Sequence, residues 1–146
     1  MKIAIGSDHA GLEFKALVTR LLTEMGHEVT DCGTLTKDSC DYPDFGIKVA
    51  QAVVAGEVDY GVNICWTGNG MMMVGNKVKG ARAGIALNAE MAYYTRLHND
   101  ANILTLAQKY TPEDQLPEIL KTFLETKFEG GRHQRRVDKM MAIQNN

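Results

Sequence analysis

Five short apolar runs, each followed by a stretch of helical periodicity, constrain this chain more than any single residue does. KIAIGS (2–7) stops at Asp8-His9-Ala10-Gly11, after which Phe14, Leu17, Val18, Leu21, Leu22 and Met25 recur at spacings of three and four. That spacing marks one buried face of a helix, and Gly26 ends it. HEVTDCG (27–33) reads as a second strand. A loop through Ser39-Cys40-Asp41-Tyr42-Pro43 then leads to a helix carrying Phe45, Val49, Ala52 and Val53. DYGVNIC (59–65), ARAGIAL (81–87) and ANILTLA (101–107) supply strands three to five. A short helix in a glycine-rich stretch follows strand three, and helices over 89–97 and about 112–126 follow the last two strands. Gly130-Gly131 sets off a final basic helix at about 131–142.

Strands that are apolar almost throughout, alternating with helices, imply a parallel sheet covered on both faces. The expected fold is α/β: a Rossmann-like three-layer α/β/α sandwich with a five-stranded parallel sheet and a C-terminal helical tail. No linker, low-complexity tract or repeat of solenoid period divides it, so one domain over 1–146 is expected.

Composition narrows the function classes. No apolar run approaches the roughly 18 residues that span a bilayer. Lys2-Ile3-Ala4-Ile5 already reads as a strand, which leaves no presequence and makes the cytoplasm the expected location. A net charge of −2 and a pI near 6.1 argue against a general nucleic-acid binder. The basic residues Arg132, Arg135, Arg136 and Lys139 crowd the tail, as either a solvated helix face or an anion site, without the aromatics a stacking surface needs. Cys32, Cys40 and Cys65 are odd in number and lack a C-x-x-C pair, so free thiols are expected and no metal site is.

Ligands of open α/β sheets bind beyond the carboxyl ends of the strands. Cys65 closes strand three, and Thr67-Gly68-Asn69-Gly70 follows where a helix begins. Glycine there lets backbone N–H groups turn toward a ligand, and a helix N-terminus stabilises an anion and activates a nearby thiol. A thiol beside an anion cradle suits proton abstraction next to a carbonyl, with the amides holding the enediolate oxygen. A small buried core cysteine fits the same position. The glycines match a dinucleotide fingerprint poorly, because no third glycine and no acid about 20 residues on complete it.

Six blocks in order remove that ambiguity: MKIAIGSDHAG (1–11), DYPDF (41–45), GEVDYGVNIC-x-TGNG (56–70), NKVKGARAG (76–84), RLHNDANIL (96–104) and EGGRHQRRV (129–137). Together they resemble the ribose-5-phosphate isomerase B family, which also includes the galactose-6-phosphate isomerase subunits. The resemblance implies a cofactor- and metal-independent aldose–ketose isomerase, with each active site shared by two subunits of a homodimer or tetramer. It implies Cys65 as the base between C1 and C2, supported by Thr67, with the amides of Gly68, Asn69 and Gly70 as the anion hole. Asp8 and His98 would open the sugar ring, and His9, Arg132 and Arg136 would hold the phosphate. Asp41, Tyr42 and Asn99 fall in the same blocks as further substrate contacts, and Lys109, just beyond the fifth block, is expected to be another. The basic helix would pack on the partner subunit. Each role has a plainer rival: Asp8 as a helix cap, His98 as a helix-ending surface histidine, the arginines as solvated charge.

Three positions depart from the family pattern. Trp66 stands where relatives have Gly, Met71 where one branch carries a catalytic Glu, and Lys109 where relatives commonly have Arg. Without that Glu, Cys65 is left as the base; Lys109 keeps the charge but not the bidentate fork. Met71, Met72 and Met73 are expected to pack into the core. The expected reaction is ribose 5-phosphate to ribulose 5-phosphate. The alternatives are another sugar phosphate (galactose 6-phosphate, allose 6-phosphate or a tetrose phosphate) and a non-catalytic sugar-phosphate-binding subunit.

Overall fold

In the computed structural model, which describes residues 1–145, the alternation is realised as β1 (Lys2–Ser7), α1 (Leu12–Glu24), β2 (Glu28–Asp31), α2 (Pro43–Val54), β3 (Tyr60–Cys65) and α3 (Asn69–Lys77). It continues through β4 (Ala83–Ile85), α4 (Ala89–Leu97), β5 (Ile103–Ala107), α5 (Leu116–Glu125) and α6 (Arg132–Ala142). The strands form one sheet, wholly parallel, in the order β2-β1-β3-β5-β4, which is the class the sequence implies. The chain runs from β1 to one side and later returns to the other, so the order reverses between β1 and β3. Their carboxyl ends frame the crevice where such sheets bind ligands.

Right-handed crossovers put α1, α4 and α5 on one face and α2 and α3 on the other. The first face is the larger core. Phe14, Val18 and Leu22 of α1 and Leu116, Ile119, Leu120, Phe123 and Leu124 of α5 are buried there against Ile3, Ile5, Val62, Ile64, Leu104 and Leu106. Each such side chain contributes about 1.5–3 kcal/mol by leaving water. On the second face Val49, Ala50 and Val53 of α2 pack with Ala4 and Ile103.

Three elements differ from the sequence expectation, the first being β2, which keeps four residues of the seven expected over 27–33. The fourth strand keeps three residues of the seven-residue apolar run, because β4 is an edge strand pairing with β5 alone. The chain then leaves the sheet for α4, whose N-cap Asn88 accepts the Met91 N–H at 2.9 Å. The helix expected over 112–126 opens as a 3-10 turn, Glu113–Gln115, before α5. Pro117 lies in the first turn of α5, where a missing N–H costs nothing.

Helices of a parallel sheet run back along the strands, so α4 delivers its last residues to the amino edge. The Gly61 N–H, at the start of β3, donates to Asn102 O at 3.0 Å and fixes that placement. Asp100, at φ +46, braces the turn: its carboxylate takes Arg96 Nη1 at 2.9 Å and Arg82 Nη2 at 3.0 Å. The tail returns to the same edge. His133 and Val137 of α6 are buried, and Gly80 N–H donates to Gln144 Oε1 at 2.9 Å. Among the described residues no helix is long and apolar enough to cross a membrane.

Candidate active site

The carboxyl edge gathers one set of side chains. Cys65 is the last residue of β3, only 8% exposed, and its carbonyl accepts the Gln108 N–H at 3.0 Å. Gly68 takes a left-handed φ of +86 as the N-cap of α3. A Cβ there would lie 2.5 Å from Ile85 Cδ1, so the turn requires glycine for both conformation and space. The first amides of α3 therefore open beside the cysteine without side chains in front of them. Tyr42, at the N-cap of α2, lays its ring against Gly70, where a Cβ would meet Cε2 and Cζ at 2.8 Å. From beneath, buried Asn63 donates to Met71 O at 3.2 Å and ties the first turn of α3 to β3.

β1 brings Asp8 and His9 to the same edge. Asp8 Oδ1 accepts the Gly11 N–H at 3.0 Å, which closes the turn before α1. α1 itself has Gly11 as N-cap and no side-chain cap, so Asp8 supports the turn without being the cap. His9 Nδ1 accepts the Cys40 N–H at 3.2 Å, with Cys40 Sγ 3.6 Å away. An acceptor Nδ1 puts the ring hydrogen of neutral His9 on Nε2, the donor an anion needs. Thr67 is half-buried, while Asp41, Asn69 and Lys109 are exposed at the rim.

A second set lies at the amino edge, about a strand length away; the six residues of β3 span roughly 17 Å at about 3.3 Å per residue. His98, Asn99 and Arg136 line one shallow cleft with His133, Val137 and Met140. The His98 and His133 rings stack at 4.1 Å, 7° from parallel, and Tyr94 lies 4.9 Å from His98. Glu129 Oε2 is 3.0 Å from His133 Nε2 and 4.0 Å from His98 Nε2. Burial, then the neighbouring His98, hold His133 below the usual imidazole range, against the pull of Glu129. Arg132 and Arg136 are exposed, one turn apart on α6.

One chain thus brings Asp8, His9, Tyr42, Cys65, Thr67 and Gly68 to Gly70 together at one edge. It does not bring His98, Asn99, Arg132 or Arg136 to them. Trp66 is 49% exposed and turns to the α1 side, in a cleft with Glu13, Phe14, Gln108, Lys109, Thr111 and Glu113, away from Tyr42. Of the three methionines, Met71 is fully buried as expected, but Met73 is 61% exposed and does not pack in the core. Tyr94, Glu129 and His133 are absent from the sequence-derived site; the four-residue spacing of Glu129 and His133 was the one available sign.

Comparison with known proteins bears on the family and the fold. A family model described as Ribose/Galactose Isomerase matches residues 3–140. Ribose-5-phosphate isomerase B of Escherichia coli is 40% identical over 143 residues, covering 98% of this chain and 96% of its own. The structure of Clostridium thermocellum ribose-5-phosphate isomerase B superposes with a TM-score of 0.97 at 48% identity, covering 99% of this chain and 98% of that one. That of Mycoplasma genitalium ribose-5-phosphate isomerase B, with bound ribulose 5-phosphate, gives 0.93 at 38% identity, with 99% and 97% coverage.

Proposed function

The chain belongs to the ribose/galactose isomerase family, and from that membership we propose that it interconverts ribose 5-phosphate and ribulose 5-phosphate. It is an aldose–ketose isomerase of sugar phosphates. The observation that carries the mechanism is Cys65 at the end of β3, beside a helix N-terminus held open by left-handed Gly68.

Ring opening comes first. His98 gives a proton to the ring oxygen while Asp8 takes one from the C1 hydroxyl, leaving the open aldehyde. The Cys65 thiolate then removes the C2 proton, and the electrons move onto the carbonyl oxygen to give a cis-enediolate. The amides of Gly68 to Gly70 hold that charge, which is greater in the transition state than in the substrate. The O2 hydroxyl proton passes to O1 beside Thr67, and the Cys65 thiol returns its proton to C1, giving the ketose. His9, Arg132 and Arg136 hold the phosphate, with Asp41, Tyr42, Asn69, Asn99 and Lys109 around the sugar.

Since His98, Asn99 and the arginines sit a strand length from Cys65, a second copy of the chain completes each site. The working form on this reading is a homodimer, in which the exposed face of α6 meets the partner. The protein would act in the cytoplasm, in the pentose phosphate pathway.

Isomerisation followed by NMR across ribose 5-phosphate, allose 6-phosphate, galactose 6-phosphate and erythrose 4-phosphate tests the proposal. Ribose 5-phosphate is expected to be turned over, with a loss of about 10²–10⁴-fold in Cys65→Ala. Wild-type rates in Cys65→Ala would overturn the cysteine base. Turnover of a different sugar alone would overturn the substrate, and binding without any turnover would favour a sugar-phosphate-binding subunit.

A further inference from the structure

His133 has no part in the reaction as drawn, yet it is the closest ring to His98. It is 5% exposed, its backbone N–H is anchored to Gly130 O at 3.0 Å, and its imidazole stacks on His98 almost parallel. Buried Nε2 has no aligned hydrogen-bond partner, although Glu129 Oε2 lies 3.0 Å away. Glu129 is in turn fixed by its own N–H, which donates to Leu97 O at 2.9 Å beside His98. The Glu129 backbone is therefore tied to the end of α4, and its half-exposed carboxylate faces the Nε2 atoms of both rings.

We propose that His133 and Glu129 are positioning residues for His98. The His133 ring fixes the plane of the His98 imidazole, and Glu129 supplies a negative charge that both Nε2 atoms face. Enclosed His133 is the neutral member of the pair, and His98 is the ring left open to substrate. This rests on the reading of His98 as the group that protonates the ring oxygen.

The charged groups around the pair are Glu129 from the loop before α6, and Arg132 and Arg136 from α6 itself. Two imidazolium rings at 4.1 Å would repel each other and the arginines, and one carboxylate neutralises only one of them. Burial decides which ring stays neutral: His133 is enclosed, while His98 is about one-third exposed and reachable by substrate. The depressed pKa of His133, from its burial first and His98 second, agrees with that order. A neutral imidazole stacked on a protonated one also offers its π face to the cation. The ligating atoms of His98, Glu129 and His133 lie within 4.8 Å of one another, a spacing that invites a metal. Nearly parallel rings, however, keep their in-plane lone pairs from converging on one ion.

Three variants in the full-length protein separate positioning from mere packing. His133→Phe keeps a flat ring against His98 and is expected to hold kcat for ribose 5-phosphate within about threefold. His133→Ala removes the ring and should lower kcat by about tenfold or more, with KM changed less than threefold, within the span of general acid–base contributions. In Glu129→Gln, the alkaline limb of the kcat profile and the NMR titration of the His98 ring should both move to lower pH, because the charge favouring the proton is gone. Equal losses in His133→Phe and His133→Ala, or a Glu129→Gln profile that stays in place, would overturn the inference. Cys65→Ala run alongside keeps the two failures apart: if it is inactive while His133→Ala is normal, only the positioning role falls.

Discussion

Replacing Gly68 by alanine tests the link from backbone conformation to catalysis, because two separable effects have magnitudes of their own. Gly68 sits at φ +86, and forcing an L-residue into the left-handed region costs roughly 1–2 kcal/mol. The new Cβ would also meet Ile85 Cδ1 at 2.5 Å. That atom ends a flexible side chain, so it can swing aside at the price of an off-rotamer torsion, about 0.5–1.5 kcal/mol. The sum, about 1.5–3.5 kcal/mol, corresponds to a fall in Tm of roughly 5–11 °C for a domain of this size. The catalytic effect is larger than the stability loss suggests. Any relaxation of the turn swings the amides of Asn69 and Gly70 away from the place proposed for the enediolate oxygen, and misdirecting such a donor costs about 10²–10³-fold in kcat. KM should change little, since the charge those amides hold develops after binding. Thermal melts and steady-state kinetics on ribose 5-phosphate read the two effects separately. A variant that melts lower as expected but keeps kcat within threefold would refute the assignment of charge stabilisation to these amides.

Other perturbations probe the scaffold and the second histidine. Lys15 is 2% exposed, its Nζ 2.5 Å from Asp31 Oδ1 and 2.6 Å from Thr34 O, so Lys15→Ala should lower the unfolding free energy by about 3 kcal/mol in urea titrations. His133 is held below the ordinary imidazole range in the fold, chiefly by burial, so the unfolded chain protonates first as pH falls. The stability it contributes is complete above the usual value near 6.5 and is lost as pH drops through the lower folded value; urea midpoints between pH 7 and 5 should fall less steeply in His133→Phe. Trp66→Gly should leave KM for ribose 5-phosphate within about threefold, because the indole lies on the α1 side, in the cleft with Glu13 and Phe14.

The elements that could be read in advance are those in which a periodic signal and a buried face coincide. α5 repeats its apolar residues at 116, 119, 120, 123 and 124, and every one is buried. β3 and β5 are buried along nearly their whole lengths and read as apolar runs broken only by Asn63 and Thr105. β4 was overestimated because its apolar run looks like that of a central strand, while pairing on one side only ends the ladder after three residues. At the candidate site, Cys65 and the glycine cradle were legible because a strand end, a turn and a helix start are contiguous in sequence. The Glu129–His133–His98 cluster was not, since it depends on the loop before α6 returning to the end of α4, and no spacing encodes that. Asp100 likewise looked like one letter of a motif until its carboxylate was seen to brace Arg82 and Arg96.

Whether His98 can meet Cys65 within one chain is decided by strand direction. In a parallel sheet every strand ends at one edge and every connecting helix at the other, so a residue closing a strand and a residue closing a helix cannot meet within the chain. Cys65 closes β3 and His98 follows α4, and the sheet between them is a rigid, fully hydrogen-bonded spacer. No loop adjustment removes that separation, because the Gly61–Asn102 hydrogen bond pins the HNDAN turn to the amino edge. If both residues act on one sugar, the second must come from another copy whose amino edge is presented to this carboxyl edge. An active monomer would therefore refute the shared site and the ring-opening role of His98 together, while leaving the Cys65 chemistry untouched.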